Sequence, residues 1–274
     1  MRLPRTVQLR LIRLIYSSWL MSMLCLSASA LAQSKLALGI TTSVGDTTGL
    51  IDVRENFAPL SNAIANALKA TVTVSAVSPT LVQGSFEQDG FDVMLVLTSD
   101  GWRAQNQHAW KIITLSDDSE GNVVTLIRRS GAKVNALSDL KDKKIASSGT
   151  FTRDVLMALL KQNGITPQPG NLSDARDPEA LVYFINNSFA DVVAVRDPGL
   201  IKKLTAAGGV AFFKTEQIPV YAVMANPKMS LEQLDKIKQA LTSFAIPPVF
   251  SQRTKIKAFK PLNSDHSVAL SLFD

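Results

Sequence analysis

The chain has 274 residues, of which 46% are hydrophobic and 19% charged, with a formal net charge of +6. This length suits one large or two medium domains, each able to bury a substantial core. Four arginines and no acids lie in residues 1–32, so the rest of the chain has 25 basic and 23 acidic side chains and a net charge of +2. Because that balance is nearly neutral and no dense basic stripe with interleaved aromatic residues occurs, the composition argues against nucleic acid as a partner.

Residues 1–32 have the three parts of a secretory signal. The four arginines come first, an apolar run follows over residues 14–26, and small residues end at Ala30–Ala32. We predict a signal peptide that is cleaved after the last of these alanines. A membrane anchor is the lesser alternative, because the run is shorter than the ~20 residues that a spanning helix needs. A lipoprotein signal would use Cys25, but Leu24 stands where such signals place a small residue.

Residue types that carry common enzyme chemistry are scarce. Cys25 is the only cysteine, so the cleaved chain would have no disulfide, thiol nucleophile or thiolate metal site. The two histidines, His108 and His266, lack metal-ligand spacing, and the sequence has no G-x-S-x-G elbow or glycine-rich nucleotide fingerprint. We therefore expect a protein that is not an enzyme and that needs neither a metal nor another cofactor.

After residue 32 the chain alternates strand-like and helix-like segments. Residues 55–69 place apolar side chains at helical spacing, with Pro59 expected near the first turn. Residues 71–77 alternate and are rich in β-branched residues, as strands are. In order, the first part predicts strand Leu36–Ile40, a polar loop over 41–48, helix 55–69, strand Thr71–Val77, a short helix near Pro79, strand Phe91–Leu97 and a loop over Thr98–Asp100.

The second part continues the alternation. Ser230 and Gln233 form a capping box that starts a helix ending near Phe244. The other predicted elements are strands 111–115, 122–128, 144–147, 191–195, 209–214 and 221–225, a short helix over 137–144, and helices 151–163, 177–187 and 198–207. Repeated strand–helix units predict an α/β fold with parallel sheets.

Several motifs, in order along the chain, resemble those of one family. The segments Val124–Ser130 (VTLIRRS) and Leu137–Ala146 (LSDLKDKKIA) resemble the pattern V-R-K-x-S followed by L-x-D-L-K-G-K-K-x-A. Phe57–Leu60, Phe91–Met94 and Phe189–Val195 resemble three further family motifs. On these residues the chain is similar, over nearly its whole length after residue 32, to the phosphate/phosphonate-type solute-binding proteins of ATP-driven (ABC) transporters.

The resemblance implies a type II periplasmic binding protein fold, which is α/β with two doubly wound lobes joined by two crossover strands. The first lobe would comprise residues 33–118 and 220–274, and the second residues 119–219. The resemblance also implies a periplasmic monomer, secreted through the cleavable signal peptide. It would close its lobes on a small anionic ligand, such as a phosphonate, phosphate or similar oxyanion, and present it to an inner-membrane ABC permease.

Ser147, Ser148, Gly149 and Thr150 are the foremost candidates for ligand binding, because they join a buried strand to a helix. The first turn of a helix has unpaired backbone N–H groups and a partial positive charge. Hydroxyl groups and a glycine at that point let an anion approach closely. The alternative is that Ser148 or Thr150 only caps the helix.

Two more pairs of hydroxyl residues are expected at the same cleft. Thr42 and Ser43 follow the first predicted strand, and Thr98 and Ser99 follow the third. Ligands of open α/β sheets bind beyond the carboxyl ends of strands, where these hydroxyls would donate hydrogen bonds. The alternative is that they are ordinary loop residues.

Arg196 and Asp197 follow the strand over 191–195. The resemblance implies an acidic residue at the position of Arg196, where it can hold an amine of the ligand. An arginine there favours a second anionic group instead, through its planar guanidinium. Asp197 is expected to compensate this charge or to pair with the arginine, and an ordinary surface ion pair is the alternative.

Two other functions stay open on the same fold. Residues 41–50 lack the proline and aromatic residues that the family has in this loop, which motivates a sensor-input or accessory envelope protein with a sensor or envelope partner in place of the permease. An enzyme grafted on the scaffold is the less favoured possibility.

Overall fold

The computed structural model describes residues 34–44, 50–88, 90–118 and 121–274. The predicted signal peptide, residues 1–32, lies outside the described residues, and so does part of the polar loop predicted over 41–48. The fold is therefore that of the chain from the first predicted strand onward.

Two β-sheets organise the described residues. In chain order the strands are β1 (Lys35–Thr41), β2 (Thr71–Val77), β3 (Val93–Leu97), β4 (Lys111–Asp118), β5 (Thr125–Arg128), β6 (Ile145–Ser148), β7 (Leu172–Ala175), β8 (Val192–Val195), β9 (Val210–Lys214), β10 (Tyr221–Ala225) and β11 (Ile256–Pro261). A six-stranded sheet has the order β11-β4-β10-β3-β1-β2, and a five-stranded sheet has the order β7-β6-β8-β5-β9.

Helices connect most of the strands. They are α1 (Leu50–Leu68), α2 (Val82–Glu87), α3 (Thr98–His108), α4 (Thr150–Gln162), α5 (Ala180–Asn186), α6 (Pro198–Ala206), α7 (Leu231–Thr242), α8 (Pro248–Thr254) and α9 (Ser264–Leu270). Short 3₁₀ turns lie at Pro79–Leu81, Leu137–Leu140 and Ser271–Phe273. The predicted capping box forms at the start of α7, where the Ser230 hydroxyl accepts a hydrogen bond from the Gln233 amide.

The chain passes from one sheet to the other twice, between β4 and β5 and between β9 and β10. We call the six-stranded sheet with its helices lobe 1, and the five-stranded sheet with its helices lobe 2. Strands of lobe 1 come from residues 35–118 and 221–261, and those of lobe 2 from residues 125–214. The predicted α/β architecture with two crossovers is confirmed, whereas the residue boundaries of the lobes (33–118 with 220–274, and 119–219) stay a prediction.

The sheets are mixed rather than all parallel. β1 and β3 run parallel, as do β6 and β8. The strands that follow the crossovers run the other way: β10 is antiparallel to β3 and β4, and β5 is antiparallel to β8 and β9. Periodicity cannot distinguish these orientations, because a buried strand has the same apolar sequence in either direction.

The core of lobe 1 forms around its central strands. Every residue of β3 and of β10 is buried, as predicted for strands covered on both faces. Phe57, Leu60 and Ile64 of α1 are buried in the same core. Burying each such side chain is worth about 1.5–3 kcal/mol, which holds the helix on the sheet.

The helix predicted over 55–69 and the loop predicted over Thr98–Asp100 both differ from their predictions. The first begins at Leu50 rather than at residue 55, so Pro59 lies inside α1. An interior proline costs about 3 kcal/mol, and the burial of Phe57 and Leu60 on either side of it offsets that cost. The predicted loop over Thr98–Asp100 is instead the first turn of α3, a helix whose few apolar residues give no clear period.

Gly209, at the turn between α6 and β9, packs too closely for a side chain. A Cβ added there would lie 2.8 Å from the Ile127 Cγ2 atom and 2.8 Å from the Leu204 carbonyl oxygen. We expect Gly209→Ala to lower the free energy of unfolding by about 1–3 kcal/mol through overpacking. Gly84→Ala is the matched control, because a Cβ in α2 meets nothing within 4 Å and should raise stability by up to ~1 kcal/mol. Urea unfolding of both variants tests this prediction. An unchanged midpoint for Gly209→Ala would contradict the claim that Gly209 is too closely packed for a side chain.

Candidate functional site

A cavity of about 170 Å³ lies between the two lobes. Lobe 1 contributes the ends of its central strands, and lobe 2 contributes the start of α4 and the segment after β8. The lining residues are Ser43, Leu97, Ser148, Gly149, Thr150, Phe151, Thr152, Pro178, Val195, Arg196, Asp197, Leu200 and Tyr221. Six of the predicted site residues are therefore brought together: Ser43, Ser148, Gly149, Thr150, Arg196 and Asp197.

The N-terminus of α4 opens into this cavity. Gly149 is the N-cap with φ 80° and ψ 146°, and no side chain among the described residues caps the helix there. A Cβ added at Gly149 would meet nothing within 4 Å. The alternative in which Ser148 or Thr150 caps the helix is not what forms. The residues of the first turn, whose N–H groups a cap would bind, instead line the cavity, and the helix dipole favours negative charge at this end.

Arg196 forms part of the lobe 2 wall and connects it to the first crossover. Its Nη1 lies 3.2 Å from Asp118 Oδ1 and 3.3 Å from the Gly121 carbonyl oxygen. The guanidinium carbon is 5.8 Å from the centroid of the Phe151 ring. The side chains of Arg196 and Asp118 are only 15% and 0% exposed, so this is a buried ion pair rather than a surface one.

Asp197 has a different role from pairing with its neighbour. Its Oδ1 accepts a hydrogen bond of 2.6 Å from the Leu200 amide and so caps α6. The arginine beside it pairs with Asp118 at the crossover instead. Of the described residues that line the cavity, Asp197 alone is acidic, and the cap holds its carboxylate against the helix.

The lobe 1 wall includes a residue that the sequence analysis did not select. Tyr221 is the first residue of β10 and pairs in register with Leu97, the last residue of β3. Its hydroxyl lies 3.4 Å from the Ser43 carbonyl oxygen, and its amide donates to the Ser116 hydroxyl at 3.0 Å. Only the antiparallel pairing of β10 brings this tyrosine to the end of the sheet that borders the cavity. Phe151, Pro178 and Leu200 line the cavity without a local signal either.

Four of the predicted site residues lie away from the cavity. The Thr42 amide bonds to the Val77 carbonyl in lobe 1. Thr98 and Ser99 are fully buried; the first donates to the Pro219 carbonyl at 2.5 Å and the second to Asp154 Oδ2 at 2.6 Å. Ser147 is 2% exposed and faces a separate cavity of about 140 Å³ beneath α4. Successive residues of a strand face opposite sides, which separates Ser147 from Ser148.

Beside the cavity, acidic groups from both lobes meet where α3 contacts α4. Asp100 accepts a 2.8 Å hydrogen bond from Gln83 Nε2 and lies 3.8 Å from Arg103. Burial raises the pKa of Asp100 above its ordinary value of 3.8, the hydrogen bond from Gln83 and the charge of Arg103 act to lower it, and the Asp154 carboxylate adds a small rise. Asp100 therefore resists ionisation in the folded protein.

The described ranges contain no group of three or more His, Cys, Asp or Glu side chains placed to hold a metal ion. Within the same ranges, no helix has the length and apolar character needed to cross a membrane.

Residues 51–267 match the family model described as the periplasmic substrate-binding protein of phosphonate ABC transporters. The chain belongs to this family. Members of the phosphonate-binding family are solute-binding proteins of the periplasm, so a small ligand and an ABC permease are the partners that membership implies. The predicted resemblance is confirmed. No curated protein matches the sequence.

Solved structures show the same fold. XAC2383 from Xanthomonas citri bound to ATP is 15% identical, covers 88% of this chain and 96% of its own, and has a TM-score of 0.66. PhnD1 from Prochlorococcus marinus in complex with methylphosphonate is 15% identical, covers 88% and 97%, and has a TM-score of 0.58. A binding protein component of an ABC phosphonate transporter (PA3383) from Pseudomonas aeruginosa is 14% identical, covers 88% and 85%, and has a TM-score of 0.55. The predicted type II periplasmic binding protein fold is confirmed.

Because the pKa of Asp100 is raised, removing its charge should increase the stability of the folded protein by an amount that depends on pH. Between 3.8 and the raised value, the unfolded chain ionises before the folded protein does, so Asp100 lowers stability as pH rises through that range. We expect Asp100→Asn, which keeps an acceptor for Gln83, to raise the thermal midpoint at pH 7. The gain should vanish below pH 3.8, where both forms are neutral. A pH series of thermal unfolding tests this, and a lower midpoint at pH 7 would contradict it.

Proposed function

We propose that the interlobe cavity binds one small oxyanion, such as a phosphonate or phosphate, and that the protein presents it to the permease of an ABC importer. The observation that carries the proposal is the uncapped N-terminus of α4, which opens into the cavity at Gly149. Backbone N–H groups at such a terminus, together with the helix dipole, form an anion site without further side chains.

The hydroxyl groups around α4 support the same ligand class. Ser148, Thr150 and Thr152 line the cavity beside the helix terminus, and Ser43 lines it from lobe 1. Hydroxyls donate hydrogen bonds to oxyanion oxygens and can rotate to suit them. A ligand with several equivalent oxygens would therefore satisfy the backbone and the hydroxyl donors of both lobes at once.

The size of the cavity favours a ligand of few atoms. Sites for drug-sized molecules have volumes of roughly 300–1,000 Å³, whereas this cavity has about 170 Å³. A phosphonate such as the methylphosphonate bound by PhnD1 suits that volume better than a nucleotide such as the ATP bound by XAC2383. Expulsion of most solvent around a small anion would also strengthen its hydrogen bonds.

The charges on the wall argue against an amine on the ligand. An ammonium group needs a carboxylate within reach, and the acid on the described wall, Asp197, is engaged as the cap of α6. Arg196 lines the cavity where a positive group of the ligand would meet repulsion. We therefore propose an oxyanion without an amino group.

A methyl group at Gly149 should block the anion. We expect Gly149→Ala to abolish the thermal stabilisation of the purified protein by phosphate, phosphite or methylphosphonate, because the methyl would occupy the approach to the α4 amides. Its φ of 80° also costs about 1–3 kcal/mol of stability for alanine. Gly170→Ala is the matched control: its φ is 85° and a Cβ meets nothing within 4 Å, but Gly170 lies outside the cavity. It should lose comparable stability and keep ligand binding.

Thermal unfolding measured with a wider panel of anions would also identify the ligand class. A ligand that binds only the folded state at a hundred times its Kd adds about 2.7 kcal/mol of stability, so one responsive anion class among phosphate, phosphite, phosphonates, sulfonates, carboxylates and ATP would identify it. No response from well-folded, ligand-stripped protein would overturn the proposed capture of an oxyanion and favour the sensory or accessory role.

Arg196 should affect both stability and binding, in separable ways. Arg196→Met removes the guanidinium from a buried ion pair, and the loss of one member of such a pair typically costs about 3–5 kcal/mol. Adding Asp118→Asn should restore most of that stability, because the remaining charge is removed. We expect both the single and the double variant to bind the responsive anion more weakly, as measured by calorimetry. Full affinity in the double variant would limit Arg196 to a structural role.

A further inference from the structure

The first turn of α3, which carries the hydroxyls of Thr98 and Ser99, contacts a carboxylate of the protein itself. Ser99 is fully buried in the first turn of α3, and its Oγ donates a 2.6 Å hydrogen bond to Asp154 Oδ2. α3 packs on β3 and β10 of lobe 1, whereas α4, which carries Asp154, packs on β6 and β8 of lobe 2. The hydrogen bond therefore joins the two lobes, and its length is typical of charge-assisted O–H···O⁻ bonds.

Asp154 lies beside the first turn of α3, where its carboxylate accepts the Ser99 hydroxyl. The interlobe cavity reaches Leu97, directly before α3, but neither Thr98 nor Ser99 lines it. Asp154 lies on the far side of this point, in a groove of about 560 Å³ that Arg103 also lines. A carboxylate beside the first turn of α3 meets the favourable end of the helix dipole. The lobe 2 helix thus supplies to lobe 1 the kind of charge that a ligand would otherwise bring.

A second set of contacts ties the same two helices together further along. Lys161 of α4 donates to the Asp274 carbonyl oxygen at 2.6 Å. Asp274 Oδ1 accepts hydrogen bonds from Trp102 Nε1 at 2.6 Å and from Asn106 Nδ2 at 3.2 Å, both on α3. These three bonds are exposed, whereas the bond between Ser99 and Asp154 is part-buried, so the latter is expected to dominate.

We propose that Ser99 and Asp154 form an interlobe clasp that holds the lobes closed in the absence of ligand. A contact that exists only when α3 and α4 adjoin shifts the equilibrium toward the closed form by its own free energy. In a binding protein without such a contact, the ligand must supply all of the free energy of closure. Asp154 is therefore a positioning residue, which acts on the ligand through the state of the cleft.

The surroundings of the clasp determine its strength. Asp100 lies near enough for Asp154 to raise its pKa slightly, so the two carboxylates repel each other. The hydrogen bond from Gln83 to Asp100 and the charge of Arg103 offset part of this repulsion. Because the hydroxyl of Ser99 is fully buried, loss of Asp154 would also leave that donor without an acceptor.

Distances between the lobes in ligand-free protein test the clasp directly. Spin labels at Leu231→Cys in α7 of lobe 1 and Lys202→Cys in α6 of lobe 2, both exposed, would be placed in a Cys25→Ser background. The protein is unfolded, dialysed and refolded to strip any bound solute before pulsed electron–electron measurement. We expect one narrow distance population for the parent. Asp154→Ala and Ser99→Ala should each change the ratio of closed to open forms by about tenfold or more, since charge-assisted hydrogen bonds have that worth.

The controls separate the clasp from general destabilisation. Asp174→Ala removes a carboxylate that pairs with Arg153 within lobe 2 at 3.7 Å and should leave the distances unchanged. The double variant of Ser99 and Asp154 should open no further than either single variant, because both substitutions remove one interaction. A broad or long distance in the parent, unchanged distances in the variants, or an equal response to Asp174→Ala would each overturn the proposal. No anion is added, so the result is independent of the ligand proposed above.

Discussion

The site depends on one constraint, which is that β5 and β10 run antiparallel to the strands on either side of them. Each of these strands follows a crossover directly and is inserted between two other strands of its sheet. As a result the first residue of β10, Tyr221, aligns with the last residue of β3. The crossovers also keep the carboxyl ends of the parallel strands of both lobes facing one space. The cavity between the lobes is a consequence of strand order, and the polar residues that line it are carried there by that order.

The helix that begins at this space, α4, and the helix that begins beside it, α3, have different partners at their N-termini. The N-terminus of α4 is uncapped and opens into the cavity, while the first turn of α3 contacts Asp154 through Ser99. Hydrogen bonds to charged groups contribute about 1.5–3 kcal/mol, which is comparable to the free-energy differences between open and closed states. One interaction of this kind is therefore enough to change how the lobes are populated before any ligand arrives.

Local patterns predicted most of the elements and the central part of the site. β1, β2 and α4 form close to their predicted limits, because alternation, β-branched residues and helical spacing are properties of neighbouring residues. Ser148, Gly149 and Thr150 reach the cavity for the same reason, since a strand, a turn and a helix follow one another within a few residues. Sequence also predicted the class of fold through motifs whose order along the chain resembles a family.

The remaining features depend on contacts between distant segments. The helix α3 has too few apolar residues for a visible period, so its first turn looked like a loop, and the burial of Thr98 and Ser99 followed from that difference. The pairing of Arg196 with Asp118 and the contact of Ser99 with Asp154 join residues 78 and 55 positions apart. No spacing rule connects residues across such separations, because only the folded topology decides which of them meet.

Internal pairing of charged groups leaves the cavity weakly charged. Asp154 accepts the Ser99 hydroxyl at the start of α3, and Asp197 caps the start of α6, so both of these helix starts are bound by the protein itself. Arg196 pairs with Asp118 but still lines the cavity. What is left for an anion is therefore mainly one helix terminus, the hydroxyls around it and this partly neutralised arginine. A helix terminus carries roughly half an elementary charge, which suits a single compact anion. Under the proposed function, the cleft would therefore select its ligand both by the groups that the protein has already paired and by those that remain open in the cavity.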